Sequence, residues 1–302
     1  MTRAQAPRAR ILMSRPDFFE VSYVINPWMH PEDWAADADT LTETAREEWE
    51  QLYKTFRKLD IELELAPPVD GLPDMVFTAN AGIVLDRKAL VARFKCPERQ
   101  GEEPVFERFF EELKDRGLID EVRMMPEGVF QEGAGDCIWD RKRKFFWAGY
   151  GQRSVREAAD EIARYFGKEV VPLELATPEF YHMDVCMCPL SGGDIIYYPG
   201  AFTEESLAIL RERVDDPGML IEAPGEDAEQ LAVNAVNVGR NIVMAACGPE
   251  LRAKLEARGY RVFVVPLTAF RRSGGAAFCL TLRLDLDSQA EAEQPVPAAA
   301  AR

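Results

Sequence analysis

Five times along this chain a helix-patterned stretch runs into a short apolar strand-like run and then toward apolar segments split by turn residues. That recurrence limits the fold more than any single motif. In Thr40–Leu59 the apolar residues Leu41, Ala45, Trp49, Leu52, Tyr53 and Phe56 fall mainly three or four apart, so they share one helical face ahead of the strand-like Ile61–Leu65. The same order returns in Glu102–Arg116 before Glu121–Met125 and in Ser154–Phe166 before Glu169–Leu175. It returns again in Glu204–Val214 before Met219–Glu222 and in Pro249–Arg258 before Tyr260–Leu267. Strand starts at 61, 121, 169, 219 and 260 give a period of 41 to 60 residues.

Each of the first four units continues into a hairpin pattern. The pairs are Val76–Leu85 with Leu90–Phe94, Cys137–Trp139 with Phe145–Gly149, Val185–Leu190 with Ile195–Tyr198, and Ala232–Val238 with Ile242–Ala246. The fifth unit has only Phe278–Leu284, and the first strand-like run of the chain, Arg10–Met13, has no partner. Pairing these two closes a ring of five. A closed, pseudo-symmetric α/β propeller fits this pattern better than an open stack of repeats, with an ordinary α/β sandwich as the alternative. The ring places a single domain at residues 10–286, and residues 287–302, rich in Ala, Gln, Glu and Pro, read as a disordered tail.

Composition narrows the function classes. A net charge of −16 disfavours nucleic acid and anionic membranes and attracts small cations, although solubility alone also explains it. No apolar run approaches the roughly 20 residues that span a bilayer, and the basic start of the chain lacks a secretory apolar stretch, so the cytoplasm is expected. There the six cysteines are expected as reduced thiols, free for chemistry.

Three hairpin openings carry reactive residues. Cys279 follows Ser273-Gly274-Gly275-Ala276-Ala277, a run small enough to leave room for a ligand beside the backbone. Against this stands the habit of cysteine to bury as a small hydrophobe, the reading kept for Cys96, Cys137 and Cys247. His182 is one of two histidines and heads the strand-like Asp184–Leu190, with Asp184 projecting to the same side. Glu132, before Gly133-Ala134-Gly135-Asp136, holds the corresponding place in the second unit, where a solvated loop carboxylate is the plain alternative. Arg93 and Arg153 lie at apolar, glycine-bearing rims suited to gripping a carboxylate. Asn80 and Asn26 offer neutral donors and acceptors, though Asn26 before Pro27 is equally a turn former. His182, Cys186 and Cys188 lie close enough in sequence to suggest zinc, but no fourth ligand is evident and no metal or other cofactor is expected.

Glu132-Gly-Ala-Gly, His182-Met-Asp184 and Gly274-Gly-Ala-Ala-Phe-Cys279, in this order, resemble the guanidino-group modifying, or amidinotransferase, superfamily. The resemblance spans about Arg10 to Asp285. It implies the pentein fold, a five-bladed α/β propeller of pseudo-fivefold ββαβ-type repeats around a central active site. The segments around Asn26, Pro73–Gly82 and Ala148–Gly151 look most like arginine dihydrolases. By that resemblance Cys279 is the nucleophile and His182 the general acid and base. Glu132 and Asp184 bind the guanidinium, and Arg93 and Arg153 clamp the substrate α-carboxylate. Deiminases have aspartate where this chain has Asn80, and arginine dihydrolases have asparagine.

The implied activity is hydrolysis of L-arginine to ornithine, ammonia and carbon dioxide through an amidino-thioether on Cys279. Arginine deiminase, dimethylarginine dimethylaminohydrolase and amidinotransferase are near rivals, and a non-catalytic arginine-binding module is a rival of another class. The expected partner is a small guanidino compound. Nothing in the chain marks an oligomer interface, which leaves a homo-oligomer open.

Overall fold

The computed structural model describes residues 8–290. Within it, β1 (Arg10–Ser14) runs parallel to β2 (Glu62–Ala66), with Met13 opposite Leu65. The long helix α1 (Ala38–Lys58) crosses between them and buries Ala45, Trp49, Leu52 and Phe56, as its spacing predicts. Four more three-stranded sheets follow. They are β3 (Gly82–Leu85), β4 (Lys88–Val91) and β5 (Glu121–Met124), then β6 (Cys137–Asp140), β7 (Phe145–Tyr150) and β8 (Val170–Glu174). Next come β9 (Met187–Pro189), β10 (Ile195–Tyr197) and β11 (Leu220–Glu222), then β12 (Val236–Val238), β13 (Asn241–Met244) and β14 (Arg261–Val264).

In every unit the first two strands form an antiparallel hairpin and the third returns parallel to the second after a helix. These crossover helices are α2 (Glu103–Asp115), α3 (Ala158–Phe166), α4 (Glu204–Arg213) and α5 (Pro249–Ala257). The last strand, β15 (Leu282–Arg283), supplies the missing hairpin partner of β1, with Leu12 opposite Leu282. The five-unit α/β arrangement expected from the recurrence is therefore present, including closure of the first unit by the end of the chain. Middle strands are largely apolar beyond their first residue or two because a helix covers one face and the core the other: Phe146 and Trp147 on β7 are both fully buried. Outer strands instead alternate and carry charge, as Glu121 and Arg123 do on β5, which blunts the exposed edges.

The boundaries that differ from expectation lie where the site is built. The first hairpin strand begins at Gly82 instead of Val76, because residues 73–81 form two successive 3-10 turns. The strand expected over Phe278–Leu284 shrinks to Leu282–Arg283, and residues 276–280 form a turn closed by Leu280 N donating to Ala276 O. Asp184 lies in the 3-10 turn Met183–Val185 instead of a strand. Helix α3 starts at Ala158, since Ser154 is drawn into the interior, where its hydroxyl meets Asp136 at 2.5 Å. The chain also packs beyond residue 286: Ser288 is buried and donates its backbone N–H to Asp86 at 2.7 Å. The rest of the expected tail, from residue 291, lies outside the described residues. Among the described residues no helix is long and apolar enough to cross a membrane.

Candidate active site

The turns that lead into the inner strands meet at the centre of the ring. Glu132 and His182 each precede the first strand of their sheet by five residues, at the head of a 3-10 turn, and His182 Nε2 lies 2.8 Å from Glu132 Oε2. Asp184 and Cys279 each precede their strands by three residues, and Cys279 Sγ lies 3.0 Å from Asp184 Oδ2. Asp184 therefore reaches the centre through a turn, not through strand alternation, and it faces the thiol while His182 faces Glu132.

Hydrogen bonds link all five units in a closed circuit. Asn80 Nδ2 donates to Glu132 O at 3.0 Å, Glu132 holds His182, and Asn234 Nδ2 donates to Asp184 O at 3.1 Å. Cys279 N donates to Asn234 Oδ1 at 3.1 Å, and Ala79 N donates to Cys279 O at 3.1 Å. The first and second units can approach this closely because of two glycines. Gly133 has φ +65°, and a Cβ there would lie 2.4 Å from Ala79 O. At Gly135 a Cβ would lie 2.4 Å from Asn80 Nδ2.

Glu132, Asn80, His182, Asp184, Asn234 and Cys279 are all buried. Burial pushes the Glu132 carboxyl up, but the Arg153 guanidinium and His182 overcome it and hold the acid well below its usual range. Such a carboxylate only accepts, so it orients the imidazole through Nε2–H. Asp184 has less compensation, and burial raises it to about 6 despite His182 and the thiol. Burial and the facing Asp184 carboxyl push the Cys279 thiol well up. The resting pair is thus an S–H donating to a carboxyl oxygen. Two buried polar atoms of the cluster, His182 Nδ1 and Asp184 Oδ1, have no protein partner.

Not every expected residue arrives free to act. Glu132 Oε2 accepts from Arg153 Nη1 at 2.9 Å as well as from His182, and its Oε1 accepts from Lys95 N at 3.2 Å. The Glu132 oxygens expected to bind a guanidinium are therefore already engaged within the protein. Arg153 reaches the site, where it also donates to Ile25 O at 2.8 Å. Arg93 is held instead by Glu103, at 2.8 Å, and by Met125 O, at 3.0 Å. Asn26 behaves as a loop tie: its Oδ1 accepts from Trp28 N at 2.9 Å and its Nδ2 donates to Ser273 O at 3.0 Å. The residues weighed as zinc ligands are engaged separately, with the Cys186 thiol on His182 O and Met183 O and the Cys188 thiol on Ala235 O.

Four polar residues to which the sequence assigns no reactive role, Asn234 among them, join the site. Arg99 is buried and donates to Asn80 Oδ1 at 2.9 Å while gripping Glu102 with two nitrogens, each at 2.8 Å. Asp74 accepts from Tyr23 Oη at 2.8 Å and from Ser273 Oγ at 3.2 Å, tying the 15–30 loop to the segment that carries Cys279. Asp136 accepts from Met183 N at 3.0 Å and fixes the turn after His182. Asn234 is the fourth unit's contribution to the circuit.

Known proteins show the same architecture. The bifunctional arginine dihydrolase/ornithine cyclodeaminase ArgZ of Synechocystis sp. is 44% identical over 275 residues, which are 91% of this chain and 37% of that protein. This chain therefore spans little more than a third of that relative. The N(G),N(G)-dimethylarginine dimethylaminohydrolase of Mycobacterium tuberculosis is 36% identical over 281 residues, 93% of this chain and 87% of that protein. The crystal structure of the N-terminal domain of ArgZ with bound substrate superimposes with a TM-score of 0.86 at 42% identity, covering 93% of this chain and 99% of that one. The pentein fold and the place of the chain in the guanidino-group modifying superfamily follow from these matches. A family model described as "N,N dimethylarginine dimethylhydrolase, eukaryotic" matches residues 20–286, and the chain belongs to that family.

Proposed function

We propose that this chain hydrolyses the guanidino group of free L-arginine, as an arginine dihydrolase. The observation that carries the reading is the buried contact of Cys279 Sγ with Asp184 Oδ2 at 3.0 Å, a nucleophile set against the group that would hold its cationic target. The activity in the name of the Synechocystis relative supports the same choice of substrate. So does Asn80, the residue that the dihydrolase resemblance requires at that position.

Asp184 Oδ1, buried and unpartnered, accepts the guanidinium. The arriving positive charge offsets the carboxylate that opposes ionisation of the thiol, so the thiolate forms when substrate is present, its proton passing to His182. Sγ attacks the guanidinium carbon, the C–S bond forms, and one C–N bond breaks as His182 protonates the departing nitrogen. Ammonia leaves. His182 then takes a proton from water, whose oxygen attacks the same carbon and expels Cys279. A second round on the bound ureido product releases ornithine, ammonia and carbon dioxide, consuming two waters per arginine in all. Glu132 keeps the imidazole oriented throughout. Arg153 is the buried guanidinium group that reaches the site for the substrate carboxylate, whereas Arg93 is paired with Glu103 and Arg99 with Glu102. A cytoplasmic setting accords with six unbridged cysteines.

The experiment is product analysis after incubation with arginine, alone and with Cys279→Ser. Ornithine with two ammonia per arginine supports the dihydrolase. Citrulline as the end product points to deimination, and dimethylamine from dimethylarginine points to the activity for which the family is named. A fully active Cys279→Ser variant rejects the mechanism.

A further inference from the structure

Asn234 spends every hydrogen-bonding capacity of its amide on the nucleophile and its neighbours. Its Oδ1 accepts from three backbone donors, Ala276 N at 3.1 Å, Phe278 N at 3.0 Å and Cys279 N at 3.1 Å. Its Nδ2 donates to Asp184 O at 3.1 Å and to Cys279 Sγ at 3.1 Å. The orientation of the amide is fixed by this set, because three N–H groups converging on one atom require the oxygen there, and a carbonyl on the other side requires the nitrogen.

The local backbone is arranged for the purpose. Asn234 N donates to Leu231 O at 3.1 Å, closing a turn in which Leu231 has φ +53°. A leucine in the left-handed region is strained, and such strain persists where surrounding structure enforces a required geometry. The side chain so presented is fully buried, so its donor meets the sulfur with little competition from water.

An S–H in this position has Asp184 Oδ2 as its acceptor. Once the proton leaves, the sulfur carries negative charge and faces a carboxyl oxygen. Donors aimed at it then decide how much thiolate forms. The Nδ2–H of Asn234 is such a donor, in place before the reaction begins and needing no rearrangement.

We propose that Asn234 is a catalytic residue: its Nδ2–H stabilises the Cys279 thiolate, while its Oδ1 holds the 276–279 backbone so that Sγ points at the site. The inference rests on the reading of Cys279 as the nucleophile. Asn234→Asp keeps the acceptor and the size of the side chain but exchanges the donor for a second carboxyl oxygen. Asn234→Ser removes the amide with no added charge, and it supplies the readout if the Asp variant does not fold.

The test combines melting temperature, steady-state arginine turnover, and the pH dependence of iodoacetamide labelling read at the Cys279 peptide, since the half-buried Cys96 and Cys247 can label too. In a folded variant the labelling inflection is expected to move upward by about one pH unit or more. At neutral pH kcat is expected to fall by about 100-fold, with KM within about threefold. A folded variant whose inflection stays in place overturns the proposal, whether turnover is kept or lost, since loss without a shift means Asn234 only shapes the loop. Failure of the underlying reading looks different: Cys279→Ser then turns over arginine normally.

Discussion

Cys279 Sγ donates across 3.0 Å to Asp184 Oδ2, and both groups are buried. The carboxyl that would hold the substrate cation is therefore the same one that keeps the thiol protonated while the site is empty.

From that contact, Asp184→Asn is expected to separate reactivity from catalysis. Removing the facing carboxyl lowers the thiol from its raised position, so iodoacetamide labelling at Cys279 at neutral pH should accelerate by about tenfold or more. Arginine turnover should fall by about 100-fold or more, because the cation loses its acceptor. Peptide-resolved mass spectrometry beside a turnover assay checks both, and slower labelling in the variant would contradict the assignment.

The pH profile carries a second signature. Burial places Asp184 at about 6 in the free protein, and only its ionised form attracts a cation. Below that point kcat/KM should drop by about tenfold per pH unit. The stability sign is opposite. The folded state binds this proton more tightly than the unfolded chain, so the stabilising contribution is full below the ordinary value of 3.8 and declines as pH rises toward about 6. An acid limb that stayed flat down to the ordinary aspartate range would exclude Asp184 as the cation acceptor.

Asn80 bridges Arg99, which donates to its Oδ1 at 2.9 Å, and Glu132 O, which accepts from its Nδ2 at 3.0 Å. In Asn80→Asp the second contact becomes oxygen against oxygen. Destabilisation of about 1–3 kcal/mol is expected from the buried acceptors left facing one another, together with accumulation of citrulline in place of ornithine. Chromatography of the products reads the second effect, and unchanged ornithine yield from the folded variant would remove Asn80 from the choice of product.

Gly133→Ala meets two obstacles, a left-handed backbone at φ +65° and a Cβ 2.4 Å from Ala79 O. A loss of at least about 2 kcal/mol follows, with a melting temperature lower by at least about 4 °C. Turnover should fall as well, since the strain falls on the link between Asn80 and Glu132. Calorimetry showing an unshifted transition would mean that the two turns do not approach as described.

Much of this was legible in the chain because two periodicities repeat in a fixed order. The strands expected to start at 121, 169, 219 and 260 begin at 121, 170, 220 and 261. The pairing of the run Arg10–Met13 with Phe278–Leu284 was recoverable because it closes the ring of five, and the structure sets Ile11 opposite Arg283. Cys279, His182, Glu132 and Asp184 stood out because their side chains have few roles at such positions. Asn234 did not, since its importance lies in backbone N–H groups more than forty residues away. Arg99 was hidden by looking ordinary: with Glu102 three residues on, it reads as a solvated pair on a helical turn, yet both are buried. Ser154 likewise resembles a helix cap, and its hydroxyl goes to Asp136 instead.

The sheet that joins β1 to β15 has a consequence for the life of the molecule. Its partners lie at opposite ends of the described chain, and Cys279, the proposed nucleophile, sits three residues ahead of the later one. While the polypeptide is being made, four sheets can assemble in turn from neighbouring segments, but the centre lacks the Cys279 thiol until residue 279 has emerged, and β1 waits unpaired on that side until β15 arrives. Under the proposed mechanism, catalysis would be withheld from every nascent form that stops short of residue 279, and would become possible only with the final turn of the ring.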